Sequence, residues 1–280
     1  MAVLDREMVV LAPEPECQAV LSRVPELRVI VRLSTNKVVK DRHLFVAVSA
    51  SMLPKFSGII KAANETKYLR ALFIREDVDA KLFPQILQRA DLRLMRNTLV
   101  HGADDWLTPE RVMNAWRMGS EHDLIATAAV NGDNLYVVTC ALQWLEVPFE
   151  KIAALKELPS ELRSKFEIDE AGSFLHWPEP DIHIDVDTIR YAVDAKWREK
   201  CDLEKLTYDR NFGKAIAEIR KKYDLRQSDI GSLTDRQLRR IESGEARPSV
   251  ATLKLLAKAH KRSLDAYLEE VGNALCKTAS

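Results

Sequence analysis

The strongest constraint on the fold is a series of helical patterns between residues 212 and 275. In the first pattern, apolar side chains recur at spacings of four, three and four: Phe212, Ile216, Ile219 and Tyr223. This spacing places them on one face of an amphipathic helix. Later helices are predicted to begin at Ser249 and Ser263, because serine is a favoured N-cap residue. Short helices with one apolar face each must bury those faces against one another, so we expect a helical bundle.

One helix of this series is unusually basic. It is predicted from Thr234, a favoured N-cap residue, to Ser243, and Gly244 suits the left-handed position after a helix. Leu238 and Ile241 form its narrow apolar stripe. The opposite side carries Arg236, Arg239, Arg240 and Ser243. Such a helix can be held by a core on one side and inserted into a groove of DNA on the other.

The same stretch resembles the Cro/repressor-type (XRE-type) helix-turn-helix family of bacterial and phage regulators. The shared features are Gln227 at the start of the second helix, an I-E-x-G signature at Ile241, Glu242 and Gly244, and Pro248 with Ser249 at the start of the next helix. The segment from Gln227 to Leu233 is about three residues shorter than the family pattern, so we expect the second helix to lose most of a turn.

The resemblance implies a set of DNA contacts. Gln227 and Arg247 would lie near phosphates, and the residues facing the major groove would be Arg236, Gln237, Arg239 and Arg240. Arginine can bind guanine through two hydrogen bonds, which supports base contacts by the three arginines, and Gln237 could bind adenine or a phosphate. Further phosphate contacts are expected from Lys214, Lys221, Arg247 and Ser243.

The distribution of charge supports a polyanionic partner. The whole chain has a formal net charge of zero. From Asp209 to Arg262, however, there are 14 Lys and Arg against 7 Asp and Glu, whereas the chain up to Tyr208 has 27 against 32. A basic C-terminal region beside an acidic remainder is expected if that region alone contacts double-stranded DNA.

Residues 1–121 are typical of a mixed α/β unit of unknown role. Predicted strands are Arg28 to Leu33, His43 to Ser49 and Leu69 to Ile74, and predicted helices are Leu53 to Ala63, Asp79 to Met95 and one that begins at Thr108.

Residues 122–198 are predicted to form a small α+β domain. Two apolar runs flank the turn sequence NGDN, which indicates a β-hairpin. This region resembles a bacterial family known as domain of unknown function 2442, through NGDNLYVV, VPF and FEIDEAGSFLHWPEPDIHIDVDTIRYAVD. The resemblance implies a domain found beside DNA-binding helices and no established chemistry. Residues 199–208 are expected to be a helical or extended linker.

Two polar clusters could suggest other sites. His176 and His183 lie near several aspartates, but their spacing matches no common zinc or calcium pattern, and neighbouring side chains of a strand point to opposite faces. We therefore expect no metal and prefer a structural or interface role for His176 and Trp177. His101, Asp104 and Asp105 are interpreted as a polar loop ahead of a helix.

Nothing in the sequence matches a common catalytic motif, so we expect neither enzyme activity nor a cofactor. The four cysteines are far apart and form no C-x-x-C pair, which favours reduced structural thiols. No apolar run is long enough to cross a membrane and no signal peptide is evident, so we expect a cytoplasmic protein.

The expected fold is an α+β multidomain chain. It comprises a mixed α/β N-terminal unit at 1–121, a small α+β domain at 122–198, a linker at 199–208 and an all-α, five-helix helix-turn-helix domain at 209–280. The leading hypothesis is a sequence-specific transcriptional repressor that binds DNA as a homodimer. One alternative is an adaptor or antitoxin-like protein that binds a partner through its first 200 residues and autoregulates through DNA. Another is an enzyme fused to a DNA-binding tail.

Overall fold

A computed structural model describes residues 8–22, 24, 27–31, 43–65, 68–92, 95–231 and 233–278. The chain divides into two compact units, Met1–Val193 and Asp194–Ser280. The first unit combines helices and three sheets, and the second is helical. Among the described helices, none has the length and apolar character needed to span a bilayer.

The first unit opens with alternating strands and helices. The strands are β1 (Met8–Leu11), β2 (Leu27–Ile30), β3 (His43–Ser49), β4 (Leu69–Arg75) and β5 (Thr98–His101). The helices are α1 (Pro15–Leu21), α2 (Leu53–Glu65), α3 (Phe83–Ala90) and α4 (Leu107–Met118), with 3₁₀ turns at Ala50–Met52 and Ala80–Leu82. All strand pairs are parallel and the order is β2-β1-β3-β4-β5, which is the order of a doubly wound sheet.

Helices cover both faces of this sheet. Met8 and Phe45 pack in the cluster that contains residues of α1 and α4, whereas Val9 and Val46 pack in the cluster with residues of α2 and α3. Every residue of β3 is buried, as expected for a central parallel strand with two covered faces.

Some predicted boundaries in this region are wrong. The strand expected from Arg28 ends at Ile30, and residues 32 and 33 of that prediction lie outside the described part. The helix expected over residues 79–95 is shorter, because Asp79 caps a 3₁₀ turn and Asp91 ends α3 in the left-handed conformation. Residues 93 and 94 of that prediction also lie outside the description.

The rest of the first unit contains two antiparallel three-stranded sheets. One comprises β6 (Ile125–Asn131), β7 (Asn134–Thr139) and β8 (Trp144–Pro148), and the other β9 (Glu167–Ile168), β10 (Leu175–Trp177) and β11 (Ile182–Ile184), followed by α5 (Val186–Val193). The NGDN sequence forms the turn between β6 and β7. Val138 and Cys140 belong to the same apolar cluster as Met8, so this region shares a core with the parallel sheet. A separate domain boundary after residue 121 stays a prediction.

Two cysteines are deeply buried in the first unit. Burial raises the pKa of the Cys17 thiol to about 11 and that of Cys140 to about 12, so both thiols stay protonated at neutral pH. Of the other two cysteines, Cys201 is half-buried and Cys276 is exposed.

The second unit comprises α6 (Ala195–Lys222), a 3₁₀ turn (Gln227–Asp229), α7 (Asp235–Glu242), α8 (Val250–Ala259) and α9 (Leu264–Thr278). Residues 199–208, expected as a linker, lie within the 28-residue α6, whose N-cap is Asp194. The expectation of five helices is wrong for the described residues, which form four α-helices and one 3₁₀ turn. The shortened second segment has room for only that turn before α7 begins.

Two glycines in helices of this unit provide a matched test of packing. A Cβ on Gly213 would lie 2.4 Å from the carbonyl oxygen of Ile241, whereas a Cβ on Gly272 would meet nothing within 4 Å. We expect Gly213→Ala to lower the free energy of unfolding by about 1–3 kcal/mol through overpacking. Gly272→Ala should raise it by about 0.5–1 kcal/mol, because alanine favours the helix. Chemical denaturation followed by circular dichroism measures both, and changes of the same sign would contradict the close approach of α6 and α7.

Candidate nucleic-acid interface

The basic helix α7 is defined by local hydrogen bonds at its start. Thr234 Oγ1 accepts a hydrogen bond from the Gln237 backbone N–H at 3.2 Å, and Gln237 Oε1 accepts one from the Thr234 N–H at 2.9 Å. This reciprocal pair is a capping box. After the helix, Gly244 has φ +79°, and a side chain there would also collide with the backbone of Arg210. The sequence therefore sets both ends of α7.

The inner side of α7 is held by apolar packing and by an ion pair. Leu238 and Ile241 are buried in the cluster that α6, α8 and α9 also enter. Glu242 pairs with Arg220 of α6, with Nε–Oε1 2.5 Å and Nη2–Oε2 3.0 Å. The Arg220 and Glu242 side chains are only 11% and 9% exposed. The hydrogen bond to Glu242 raises the Arg220 pKa further, so the guanidinium stays charged.

Two more contacts complete this network. Arg220 Nη1 donates to the carbonyl oxygen of Leu225 at 2.7 Å, and Gln227 Nε2 donates to Glu242 Oε2 at 2.8 Å. The network thus joins α6, the 3₁₀ turn and α7. The role of Arg220 was not predicted from the sequence. The signal that could have found it is its partner Glu242, which stands in the I-E-x-G signature.

The outer side of α7 carries the residues expected to contact bases. Arg236, Gln237, Arg239 and Arg240 are all exposed. The side chains of Arg236 and Arg239 form no hydrogen bond or ion pair with any residue that the structure describes. Arg240 Nε lies 3.8 Å from Glu245 Oε2. The side-chain oxygen of Gln237, Oε1, already accepts a hydrogen bond in the capping box. The arginine side chains therefore project from the unit. Gln237 has mainly its amide NH₂ group left to donate hydrogen bonds to DNA.

The residues expected to contact phosphates differ in their surroundings. Lys214 and Lys221 are exposed on α6, and no ion pair with a described residue involves either of them. Arg247 pairs with Asp209 at 2.5 Å, and Ser243 Oγ donates to the carbonyl oxygen of Arg240 at 3.1 Å. Gln227 uses its amide in the Glu242 network. Three of the five side chains are thus engaged within the unit, and all five phosphate contacts stay predictions.

This geometry agrees with the comparison against protein-family models. Residues 216–267 match the helix-turn-helix family model. The helix-turn-helix module thus includes the end of α6, the 3₁₀ turn, α7, α8 and the start of α9, and it supports a DNA-binding regulator of the XRE type. Residues 143–195 match the family described as protein of unknown function (DUF2442), so both predicted resemblances are confirmed. Neither a curated protein nor a solved structure matches the chain.

The ion pair behind α7 of the helix-turn-helix module makes a specific prediction about stability. We expect Glu242→Gln to lower the free energy of unfolding by about 3 kcal/mol, because it leaves the buried Arg220 guanidinium without its carboxylate. The exposed Glu245→Gln is the matched control and should change it by less than about 0.5 kcal/mol.

The double variant Arg220→Met with Glu242→Leu distinguishes the ion pair from general disruption. Replacing both charges with apolar side chains should recover much of the lost stability, since no charge is then buried alone. Urea denaturation measures the unsubstituted chain, the single variants Arg220→Met and Glu242→Leu, and the double variant. A loss in the double variant that equals the sum of the losses in these two single variants would contradict the pairing.

Proposed function

We propose that the protein is a sequence-specific transcriptional regulator that inserts α7 into the major groove of DNA. The observation that carries this proposal is the two-sided character of α7. Its inner side is anchored by Leu238, Ile241 and the Glu242 ion pair. Its outer side presents Arg236 and Arg239, whose side chains pair with no described residue. Such an arrangement fixes the helix backbone from which the guanidinium groups project before DNA is bound, which lowers the entropy lost on binding.

Arg236 and Arg239 are the strongest candidates for base contacts. They are three residues apart on one side of the helix, and neither has to break an internal ion pair with a described residue before it binds guanine. To contact a base, Arg240 would have to give up only its 3.8 Å contact with the exposed carboxylate of Glu245. Gln237 would contribute through its amide NH₂ while the capping box stays intact.

The phosphate contacts would orient the module. Lys214 and Lys221 can approach the DNA backbone directly, whereas Arg247 would exchange Asp209 for a phosphate. Gln227 and Ser243 already form hydrogen bonds within the unit. Gln227 would have to contact a phosphate through its second amide hydrogen, and Ser243 would have to redirect its hydroxyl hydrogen. These contacts carry no sequence information, but they set the register of α7 in the groove.

The regulator is proposed to act as a homodimeric repressor. One eight-residue recognition helix contacts few base pairs, and two copies related by a two-fold axis would bind half-sites about 34 Å apart, one turn of DNA. Selection of bound sequences from random DNA by the full-length chain tests this point. Enrichment of a palindrome with one-turn spacing is expected, and enrichment of single half-sites would contradict the dimer.

A second candidate function, partner binding by an adaptor or antitoxin-like protein, is favoured by exposed apolar side chains. Trp144 is 69% exposed on β8, and Leu107 and Met118 are 65% and 53% exposed on α4. Side chains of this size are common at protein interfaces. Purification from the native host would support this candidate if one other protein copurified in fixed stoichiometry, and would favour the regulator if the chain copurified only with DNA.

The proposed base contacts are tested by comparing cognate and random DNA. Arg239→Ala should weaken binding to the selected site by about 1–3 kcal/mol and weaken binding to random DNA much less. Lys221→Ala should weaken both alike and reduce the slope of log affinity against log salt by about 1. Fluorescence anisotropy at several salt concentrations measures these effects, with Lys258→Ala on α8 as the control. Equal losses on both DNAs for Arg239→Ala would contradict base recognition.

A further inference from the structure

His176 and His183 lie side by side, although the sequence suggested that strand alternation would separate them. Alternation applies within one strand, but these residues are on neighbouring strands, where His176 of β10 is the direct register partner of His183 of β11. Their rings stack with centroids 4.2 Å apart and an angle of 12°. The expectation of no metal rested on the separation of these side chains, and the pairing of β10 with β11 brings them together.

A carboxylate joins the two imidazoles. Asp181 lies just before β11, and its Oδ1 is 3.5 Å from His176 Nε2 and 3.8 Å from His183 Nδ1. One ligand atom from each of the three residues lies within 4.8 Å of the others. Two ligands bound tetrahedrally to zinc at 2.0–2.1 Å are roughly 3.4 Å apart, so the two measured distances are close to that spacing. Because the two rings are nearly parallel, they would have to tilt towards each other for their nitrogen lone pairs to meet at one ion.

Two further observations indicate a site rather than a chance cluster. His176 Nε2 is buried and forms no hydrogen bond with any described residue. Asp181 has φ +51°, a left-handed conformation that aspartate and asparagine adopt more readily than most other residues. The site also opens to solvent, because the side chains of His183 and Asp181 are 46% and 84% exposed.

We propose that His176, Asp181 and His183 bind one divalent transition-metal ion, with Zn²⁺ as the reference ion. Imidazole nitrogens favour zinc and its neighbours over Mg²⁺ and Ca²⁺, which prefer oxygen ligands. Three protein ligands leave one tetrahedral position for water or another exogenous ligand on the exposed side. The ion would join β10, the turn before β11 and β11 itself. This inference is independent of the proposed DNA binding.

Isothermal titration of the full-length chain with ZnCl₂ tests the site. We expect saturation near one ion per chain at pH 7.5 and no binding of MgCl₂ under the same conditions. His183→Ala and Asp181→Asn should each weaken zinc binding at least tenfold. Asparagine also tolerates the left-handed conformation, so Asp181→Asn removes the anionic ligand with little change to the backbone. The control is His122→Ala, which removes an exposed histidine outside the cluster and should leave zinc binding unchanged.

The unsubstituted chain provides a second readout that does not depend on the variants folding. Zinc should shift the imidazole NMR signals of His176 and His183 and leave the signal of His122 in place. No saturable zinc binding, shifts confined to other histidines, or unchanged affinity in both His183→Ala and Asp181→Asn would each overturn the proposal.

Discussion

The buried pair between Arg220 and Glu242 is the interaction on which the DNA-binding geometry depends. An isolated eight-residue helix is unstable in water, so α7 exists only because the rest of the unit supports it. The capping box sets where the helix begins, and the apolar stripe supplies burial. The pair adds what apolar contacts cannot, because two hydrogen bonds between planar groups fix the rotation of α7 against α6. The direction in which Arg236 and Arg239 point follows from that rotation.

The shortened second segment depends on the same network. A full helix before α7 would have its own apolar face, whereas the 3₁₀ turn is followed by one fully buried side chain, Ile230. Gln227 at the start of the turn compensates by bonding to Glu242. The short segment before α7 therefore packs few apolar side chains but keeps a polar anchor to α7.

Prediction from sequence succeeded where the determining signals are local. The starts of α7 and α8 depend on Thr234 and Ser249, which accept hydrogen bonds from the backbone a few residues later. The strand order of the parallel sheet was not predictable, because β1 pairs with β3 across more than 30 residues of chain. The contact between His176 and His183 depends on a register between two strands, and the pairing of Arg220 with Glu242 on how two helices cross. Neither contact can be predicted from the residue spacing within one segment.

If the chain were an enzyme fused to a DNA-binding tail, the carboxyl ends of the parallel strands would be the expected place for its substrate. In a doubly wound sheet, ligands bind beyond the carboxyl ends of the strands where the order reverses, here between β1 and β3. At that point Glu14 accepts hydrogen bonds from the Ser49 N–H at 2.6 Å and from Ser49 Oγ at 2.7 Å, and Arg75 donates to Ser49 Oγ at 3.0 Å. These are the donors that a phosphate at the start of a following helix would use. A ligand would have to displace the chain's own carboxylate from them, so this edge of the sheet is better suited to closing the fold than to binding a substrate.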